Sequence, residues 1–207
     1  FKEIQDSSCE ECPSLSSIKE QLEILGIKMK NYEIIISSSE KGKELIKDNN
    51  IKFYNNLLIG KEIEEYWWIF PGLNKLLREE QNYYLFSDPV VYPYKEAVTG
   101  VVKGKVEAIY ITTNDCKDCF NVSILKENFE KVGVYIDKNK YVDYSSKEGK
   151  QLISNYNITA VPTIILSKEI LDYQTFSETL KKLGTFEKDD SFVFRGIKNL
   201  DLKYKEI

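Results

Sequence analysis

The sequence predicts an α/β protein that contains two copies of one domain. Its 207 residues include two Cys-x-x-Cys motifs, at 9–12 and 116–119, which lie 107 positions apart. When Ile4–Leu76 is aligned with Ile111–Leu183 at this offset, without a gap, about 23 of the 73 positions carry the same residue. Random pairing would give only a handful of identities, so the chain contains an internal duplication. Strand and helix patterns alternate within each copy, which indicates the α/β class.

The first half of the second copy predicts a strand, a helix and a second strand. The residues from Glu107 to Thr112 are mostly β-branched or aromatic, a composition typical of strands. Apolar residues then recur at helical spacing from Val122 to Val132, and Gly133 follows as a C-cap. The segment Tyr141–Tyr144 predicts the second strand.

The other half of the second copy predicts two helices and two strands. Ser146 is a suitable N-cap for a short helix. Residues 161–166 predict a buried strand whose Pro lies near its start, where Pro is tolerated. Residues 173–183 predict a last helix, and residues 191–194 predict a final strand. We expect an element order close to β-α-β-α-β-β-α.

The two copies are expected to form separate domains. Pro and Gly residues between Asp88 and Lys105 predict a linker. We therefore expect domains at 1–92 and 93–207, each with a mixed central sheet flanked by helices. The tail from Leu200 to Lys205 is loosely similar to the linker around Tyr94–Lys95.

The composition narrows the possible chemistry. The net charge is −4 and the chain contains no His. The lack of His removes Ser–His–Asp and Cys–His catalysis and His-ligated zinc or haem. A slightly acidic chain gives no reason to expect nucleic-acid binding, which needs clustered Lys and Arg. No apolar run approaches the ~20 residues that span a bilayer. The cysteines, carboxylates, Lys or Tyr must therefore supply any catalysis.

The two Cys-x-x-Cys motifs are the candidate reactive groups. Each lies between a predicted strand and a predicted helix, so we expect the first Cys at a helix N-terminus, where the helix dipole favours a thiolate. Cys9 and Cys116 are the candidate nucleophiles that attack a substrate disulfide. Cys12 and Cys119 are the candidate thiols that resolve the mixed disulfide. Structural disulfides and a four-Cys zinc site remain as alternatives.

The segment TTNDCKDC, followed about 40 residues later by NITAVPTIIL, resembles the thioredoxin superfamily. The resemblance implies two tandem thioredoxin-like domains, similar to those of protein disulfide oxidoreductases and disulfide isomerases. It implies that Pro162 follows a cis peptide bond beside Cys116 and that the Val161 backbone pairs with an extended substrate. It also implies that the partners are protein or peptide thiols and disulfides together with a dithiol electron carrier, and that no bound cofactor is needed.

The first copy departs from this pattern at two places. Asn55 stands where the second copy has Pro162, so we expect a trans peptide bond and altered or lost substrate docking beside Cys9. Glu10 and Glu11 lie between the first two cysteines, and their negative charge opposes a thiolate. We therefore expect the first site to be less oxidising than the second, and we rank the second site above it.

An aromatic run at 67–71, Trp-Trp-Ile-Phe-Pro, is found in the first copy alone. The second copy has Gln174 and Thr175 where the two Trp residues lie. We expect the run to pack the last helix or an interface between the copies. The alternative is an exposed platform for an unfolded peptide or a partner.

The sequence thus predicts a thiol–disulfide oxidoreductase or isomerase that acts on protein disulfides. The alternative is a non-catalytic binding or scaffold module in which both motifs form stabilising disulfides. The chain opens on Phe1 rather than Met, which favours an extracytoplasmic protein whose leader or membrane anchor lies outside this sequence. A cytoplasmic location is the alternative.

Overall fold

The computed structural model describes residues 1–199 and 202–207. The chain divides into two compact units, Phe1–Lys103 and Gly104–Ile207. Each unit contains a five-stranded mixed β-sheet and α-helices, which confirms the predicted α/β class.

The first unit has five sheet strands and three helices. In chain order these are β1 (Lys2–Gln5), α1 (Ser16–Ile24), β2 (Glu33–Ile36), α2 (Glu40–Asp48), β3 (Asn56–Gly60), α3 (Phe70–Leu73), β4 (Leu77–Glu79) and β5 (Tyr83–Phe86). Short 3-10 turns occupy Lys61–Glu65 and Asn74–Leu76. The sheet order is β2-β1-β3-β5-β4. Strands β1 and β2 are parallel, and the other neighbours are antiparallel.

A two-stranded hairpin extends the first unit beyond its predicted end. Strands β6 (Tyr94–Lys95) and β7 (Val102–Lys103) pair antiparallel. The ring of Tyr94 is buried in the first core, with its centroid 5.8 Å from that of Phe53. The predicted boundary after residue 92 therefore differs from the observed one, because this aromatic packing makes the hairpin part of the first unit.

The second unit repeats the sheet of the first. Its elements are β8 (Val106–Thr112), α4 (Ser123–Lys131), β9 (Ile136–Asp143), α5 (Lys147–Tyr156), β10 (Ala160–Val161), β11 (Thr163–Leu166), α6 (Ser177–Leu183), β12 (Gly184–Phe186), β13 (Phe192–Phe194) and β14 (Lys205–Glu206). The 3-10 turns occupy Lys168–Asp172, Gln174–Phe176 and Gly196–Asn199. The sheet order β9-β8-β11-β13-β12 corresponds strand by strand to that of the first unit. Strands β10 and β14 form a separate antiparallel pair.

The order of the last elements differs from the prediction. Helix α6 precedes the final two strands, so the main elements run β-α-β-α-β-α-β-β. The predicted positions of the last helix and of the final strand are confirmed, since α6 lies within 173–183 and β13 within 191–194. The expected order with a terminal helix is wrong, because β12 and β13 both follow α6 as consecutive antiparallel strands at the edge of the sheet.

The repeated residues have repeated structural roles. Ser39 and Ser146 are the N-caps of α2 and α5, and each hydroxyl accepts a hydrogen bond from the backbone N–H three residues later. The donors are Gly42 and Gly149. A Cβ at Gly42 would lie 2.2 Å from the Ile36 carbonyl oxygen, and one at Gly149 would meet a strand carbonyl at 2.1 Å. Both positions require Gly because helix and strand approach too closely for a side chain.

The central strand β3 of the first sheet is buried on both faces. Leu57 and Ile59 of β3 pack in the same core as Leu22 of α1. Leu58 points to the opposite face, where Leu45 of α2 packs. Fully burying each such side chain contributes roughly 1.5–3 kcal/mol. This burial holds the neighbouring β1 in place, and the first Cys-x-x-Cys turn follows β1 directly.

Candidate functional site

Both Cys-x-x-Cys motifs are closed disulfides on surface turns. The sulfur atoms are 1.96 Å apart in Cys9–Cys12 and 1.97 Å apart in Cys116–Cys119. In each turn the backbone N–H of the second Cys donates to the carbonyl of the first, over 3.4 Å. All four cysteines are partly exposed. The two predicted pairs are therefore brought together, and solvent can reach them.

The helices begin later than expected. Helix α1 begins at Ser16 and α4 at Ser123, each four residues after the second Cys of its motif. The prediction that the first Cys lies at the helix N-terminus is wrong. In the second unit, Asn121 Oδ1 accepts a hydrogen bond from the Ser123 N–H, and this local turn delays the start of the helix. The dipole effect falls off within the first helical turn, so it does not favour a thiolate here.

Two carboxylates flank the second disulfide, and each pairs with a lysine. Asp115 accepts hydrogen bonds from the Lys205 ammonium and from the hydroxyls of Thr113, at 2.5 Å, and Tyr144, at 2.6 Å. The Lys205 ammonium, followed by these hydroxyls, holds the pKa of Asp115 well below its usual range. The Lys203 ammonium lies 3.2 Å from a carboxylate oxygen of Asp118, which lies between the two cysteines.

One short segment joins the second Cys-x-x-Cys turn to the Pro162 region. The peptide bond between Val161 and Pro162 is cis. Val161 pairs antiparallel with Lys205 of β14. The carbonyl of Lys203 accepts a hydrogen bond from the N–H of Phe120, the residue after Cys119, over 3.0 Å. The Val161 edge is thus already paired with the chain's own backbone.

In the first unit, Asn55 occupies the position that corresponds to Pro162. Its φ is +55°, and its side-chain amide donates to the carbonyl of Pro13, the residue after Cys12, over 2.7 Å. Within the described residues the cis bonds precede Pro93 and Pro162, so the bond before Asn55 is trans. Asn55 is 3% exposed, and its Oδ1 has no hydrogen-bond partner. The first turn is therefore fixed by a side chain that the second unit lacks.

Glu3 is a buried carboxylate that the sequence reasoning missed. It is 2% exposed and lies on β1. Its carboxylate accepts hydrogen bonds from the Tyr32 hydroxyl and, at 3.4 Å, from the Leu15 N–H at the start of α1. Burial raises the pKa of the Tyr32 hydroxyl, and the Glu3 carboxylate raises it further. The available signal was strand alternation: Ile4 faces one core, so Glu3 must face the other.

The aromatic run at 67–71 is divided between surface and core. Trp67 and Trp68 are 75% and 55% exposed. Ile69 and Phe70 pack against the first core. The expected packing role therefore holds for Ile69 and Phe70, whereas the two Trp side chains lie on the surface.

Because both cysteine pairs are disulfides, they do not form the alternative four-Cys zinc site in this structure. Sulfur atoms that are bonded to each other are not thiolate ligands, and no described residue is a free Cys. Among the described residues, no three Cys, Asp or Glu side chains cluster as metal ligands. No helix among the described residues is both long enough and apolar enough to cross a bilayer.

None of the family models, curated proteins or solved structures with which the chain was compared matches it. The resemblance to the thioredoxin superfamily therefore depends on the sequence motifs, and the function has to be argued from the geometry of the two turns.

Proposed function

We propose that this protein is a thiol–disulfide oxidoreductase or isomerase that acts on protein or peptide disulfides. The supporting observation is that both motifs form partly exposed disulfides at the same place in two duplicated sheets. A surface Cys-x-x-Cys disulfide is the oxidised form of a dithiol that can exchange with a substrate. Cys116 and Cys119 form the principal pair, and Cys9 and Cys12 form a second or auxiliary pair.

The proposed reaction begins with the reduced protein. The Cys116 thiolate attacks one sulfur of a substrate disulfide, so a mixed disulfide forms and the other substrate sulfur leaves as a thiolate. The Cys119 thiolate then attacks the Cys116 sulfur, which releases the second substrate thiolate and forms the Cys116–Cys119 disulfide. Two electrons pass from the protein to the substrate. A separate dithiol carrier restores the reduced protein, and the reverse sequence oxidises a substrate dithiol.

The charges around the second pair support a weak exchanger. The carboxylates of Asp115 and Asp118 oppose a nearby thiolate, whereas Lys203 and Lys205 offset them. Neither cysteine lies in a helical turn, so a helix dipole does not add to the effect of the lysines. Because the thiolate is the attacking form of a thiol, the rate of attack should rise with pH.

Trapping the mixed disulfide tests the proposal. The Cys119→Ser variant, reduced and mixed with insulin, should accumulate a covalent adduct through Cys116, because the resolving thiol is missing. Cys116→Ser is the matched control and should form no adduct at that turn. A protein that neither turns over insulin nor forms an adduct contradicts the proposal.

A second candidate is a non-catalytic binding or scaffold module with structural disulfides. The pairing of Val161 with β14 favours it, because the edge that the resemblance assigns to substrate is occupied. The reduction potential separates the two candidates: structural bridges lie below about −300 mV, and exchanging pairs lie above this value. Under either candidate we propose an extracytoplasmic location, where surface disulfides persist.

A further inference from the structure

A Tyr-Lys-Glu segment lies beside the Cys-x-x-Cys turn in both units. The first segment is Tyr94–Glu96 and the second is Tyr204–Glu206. Glu96 lies antiparallel to Phe53, and Glu206 lies antiparallel to Ala160. Phe53 and Ala160 correspond at the repeat offset, so the two segments pair in the same register.

The backbone hydrogen bonds repeat as well. Ala97, which follows the first segment, donates its N–H to the carbonyl of Lys52 over 2.8 Å. Ile207, which follows the second segment, donates its N–H to the carbonyl of Thr159 over 3.1 Å. Lys52 and Thr159 are corresponding positions. A strand of the same sequence is thus added to the same edge in each unit.

The lysine of each segment reaches the residue that precedes the first Cys. The Lys95 ammonium lies 2.6 Å from the Ser8 hydroxyl and 2.8 Å from a carboxylate oxygen of Asp6. The Lys205 ammonium binds the Asp115 carboxylate and lies 2.6 Å from the Tyr144 hydroxyl. This edge therefore recognises an extended strand by its backbone and by a lysine.

The second segment has one more lysine contact. The Lys203 ammonium pairs with Asp118, and the Lys203 backbone carbonyl accepts a hydrogen bond from the Phe120 N–H. Pro93 stands at the corresponding place before the first segment. Lys205 lies on β14, and Lys203 lies two residues earlier, ahead of the strand. Both ammonium groups reach the acidic residues around the second disulfide, Lys205 at Asp115 and Lys203 at Asp118.

The two segments differ in how firmly they are held. Tyr94 is 9% exposed, packs in the first core and belongs to the hairpin with β7. In the second segment Tyr204 is partly exposed, and the lysine pairs of Lys203 and Lys205 are solvent-accessible. A strand held by a few backbone hydrogen bonds and accessible ion pairs opens at low free-energy cost.

We infer that the Ala160–Val161 edge is a binding site for an extended peptide that carries lysines at alternate positions, and that β14 occupies this site as an internal ligand. An incoming peptide takes the place of β14 by adding a strand to the same edge, with its lysines on Asp115 and Asp118. The consequence for exchange rests on the proposed function, since the bound peptide then lies along the Cys116–Cys119 turn. The binding itself does not depend on redox activity.

Peptide binding to the oxidised full chain tests the inference. The probe is a fluorescent peptide with the sequence of residues 202–207, Leu-Lys-Tyr-Lys-Glu-Ile, and its control has Glu in place of both Lys. Lys205→Glu weakens β14 through repulsion from Asp115, so the chain should bind the lysine peptide about fivefold more tightly than the wild type. The matched control is Lys182→Glu, an exposed lysine of α6, which should bind as the wild type does.

Further variants keep each result decisive. Asp115→Asn combined with Lys205→Glu should lose the gain in affinity, because the acceptor for the peptide's lysine is removed. Lys203→Glu serves in place of Lys205→Glu should the latter fail to fold by circular dichroism. Equal binding of the lysine and glutamate peptides, or no gain over Lys182→Glu, overturns the inference.

Exchange is scored separately from binding. In the Lys205→Glu variant, dithiothreitol should reduce the Cys116–Cys119 disulfide faster than in the Lys182→Glu control, because the segment that contacts Asp115 and Phe120 on either side of the disulfide is loosened. Peptide binding without insulin turnover contradicts the proposed function and supports the binding site. Insulin turnover without lysine-dependent binding contradicts the site and leaves the proposed function standing.

Discussion

The two units share a sheet but differ in what lies beside the disulfide. In the first unit Asn55 hydrogen-bonds the carbonyl of Pro13, and Tyr94 anchors the added strand in the core. In the second unit the corresponding position is Pro162 after a cis bond, and the added strand is held by accessible lysine pairs. The two units thus share the Cys-x-x-Cys turn and differ in the contacts that hold the added strand beside it. We infer that the second unit is the better suited to admit a partner.

The largest expected effect comes from removing one attacking sulfur at a time. Cys116→Ser should reduce insulin turnover to background, because the first bond-forming step is lost. Cys9→Ser should retain most of the turnover, because the segment that pairs with Phe53 beside the first turn is anchored in the core by Tyr94 and leaves no site for a substrate there. Turnover of the two variants under identical conditions measures the difference. Equal losses would show that the two units contribute alike and would break the comparison.

A smaller effect is expected from Asn55→Ala in the first unit. The substitution removes the buried hydrogen bond to Pro13, which costs about 1–3 kcal/mol. Asn tolerates the left-handed φ of +55° better than Ala does, because its short polar side chain can hydrogen-bond locally, so the substitution adds up to about 1–2 kcal/mol. Urea unfolding measures the total, and Asn55→Gly isolates the hydrogen-bond part because Gly accepts this φ without strain. An unchanged stability in both variants would show that Asn55 does not fix the first turn.

The smallest effect concerns pH and the second unit. The pKa of Asp115 is lowered from 3.8, chiefly by Lys205. The Asp115–Lys205 ion pair therefore stabilises the pairing of β14 with the Ala160–Val161 edge above pH 3.8. That contribution is lost as the pH falls through the lower pKa of the folded protein. A Lys205→Met variant should move the pKa of Asp115 up towards its ordinary value, as measured by NMR titration of the carboxyl. An unchanged pKa in this variant would show that Lys205 does not lower the pKa of Asp115.

Local features of the fold were predictable from residues that are near each other in the sequence. The caps at Ser146 and Gly133 and the helix between Val122 and Val132 depend on side chains within about one helical turn of the backbone they affect. The pairing of Cys116 with Cys119 is similarly local. These predictions are confirmed because the deciding contacts span only three or four residues.

Contacts over long distances in the sequence account for what was missed. Lys205 lies 90 residues from Asp115, and nothing in either segment alone indicates their ion pair. The delayed start of α1 depends on burial of Leu15, which is 1% exposed in the core, before the helix begins. Glu3 is buried because α1 covers its face of β1. Small differences in packing free energy select these arrangements. The helix and strand propensities of single residues do not indicate them, because they do not depend on distant parts of the chain.

The sequence by itself determined the duplication, the alternation of strands and helices and the presence of two Cys-x-x-Cys turns, because each is recorded in spacing along the chain. The tertiary structure alone decided which segment lies on the Ala160–Val161 edge, where the boundary between the units falls and how each disulfide is surrounded. Strand addition leaves little trace in the sequence, since backbone groups make most of its bonds and every residue carries them. The specificity of the edge depends on side chains such as Asp115 and Lys205, which folding alone brings together.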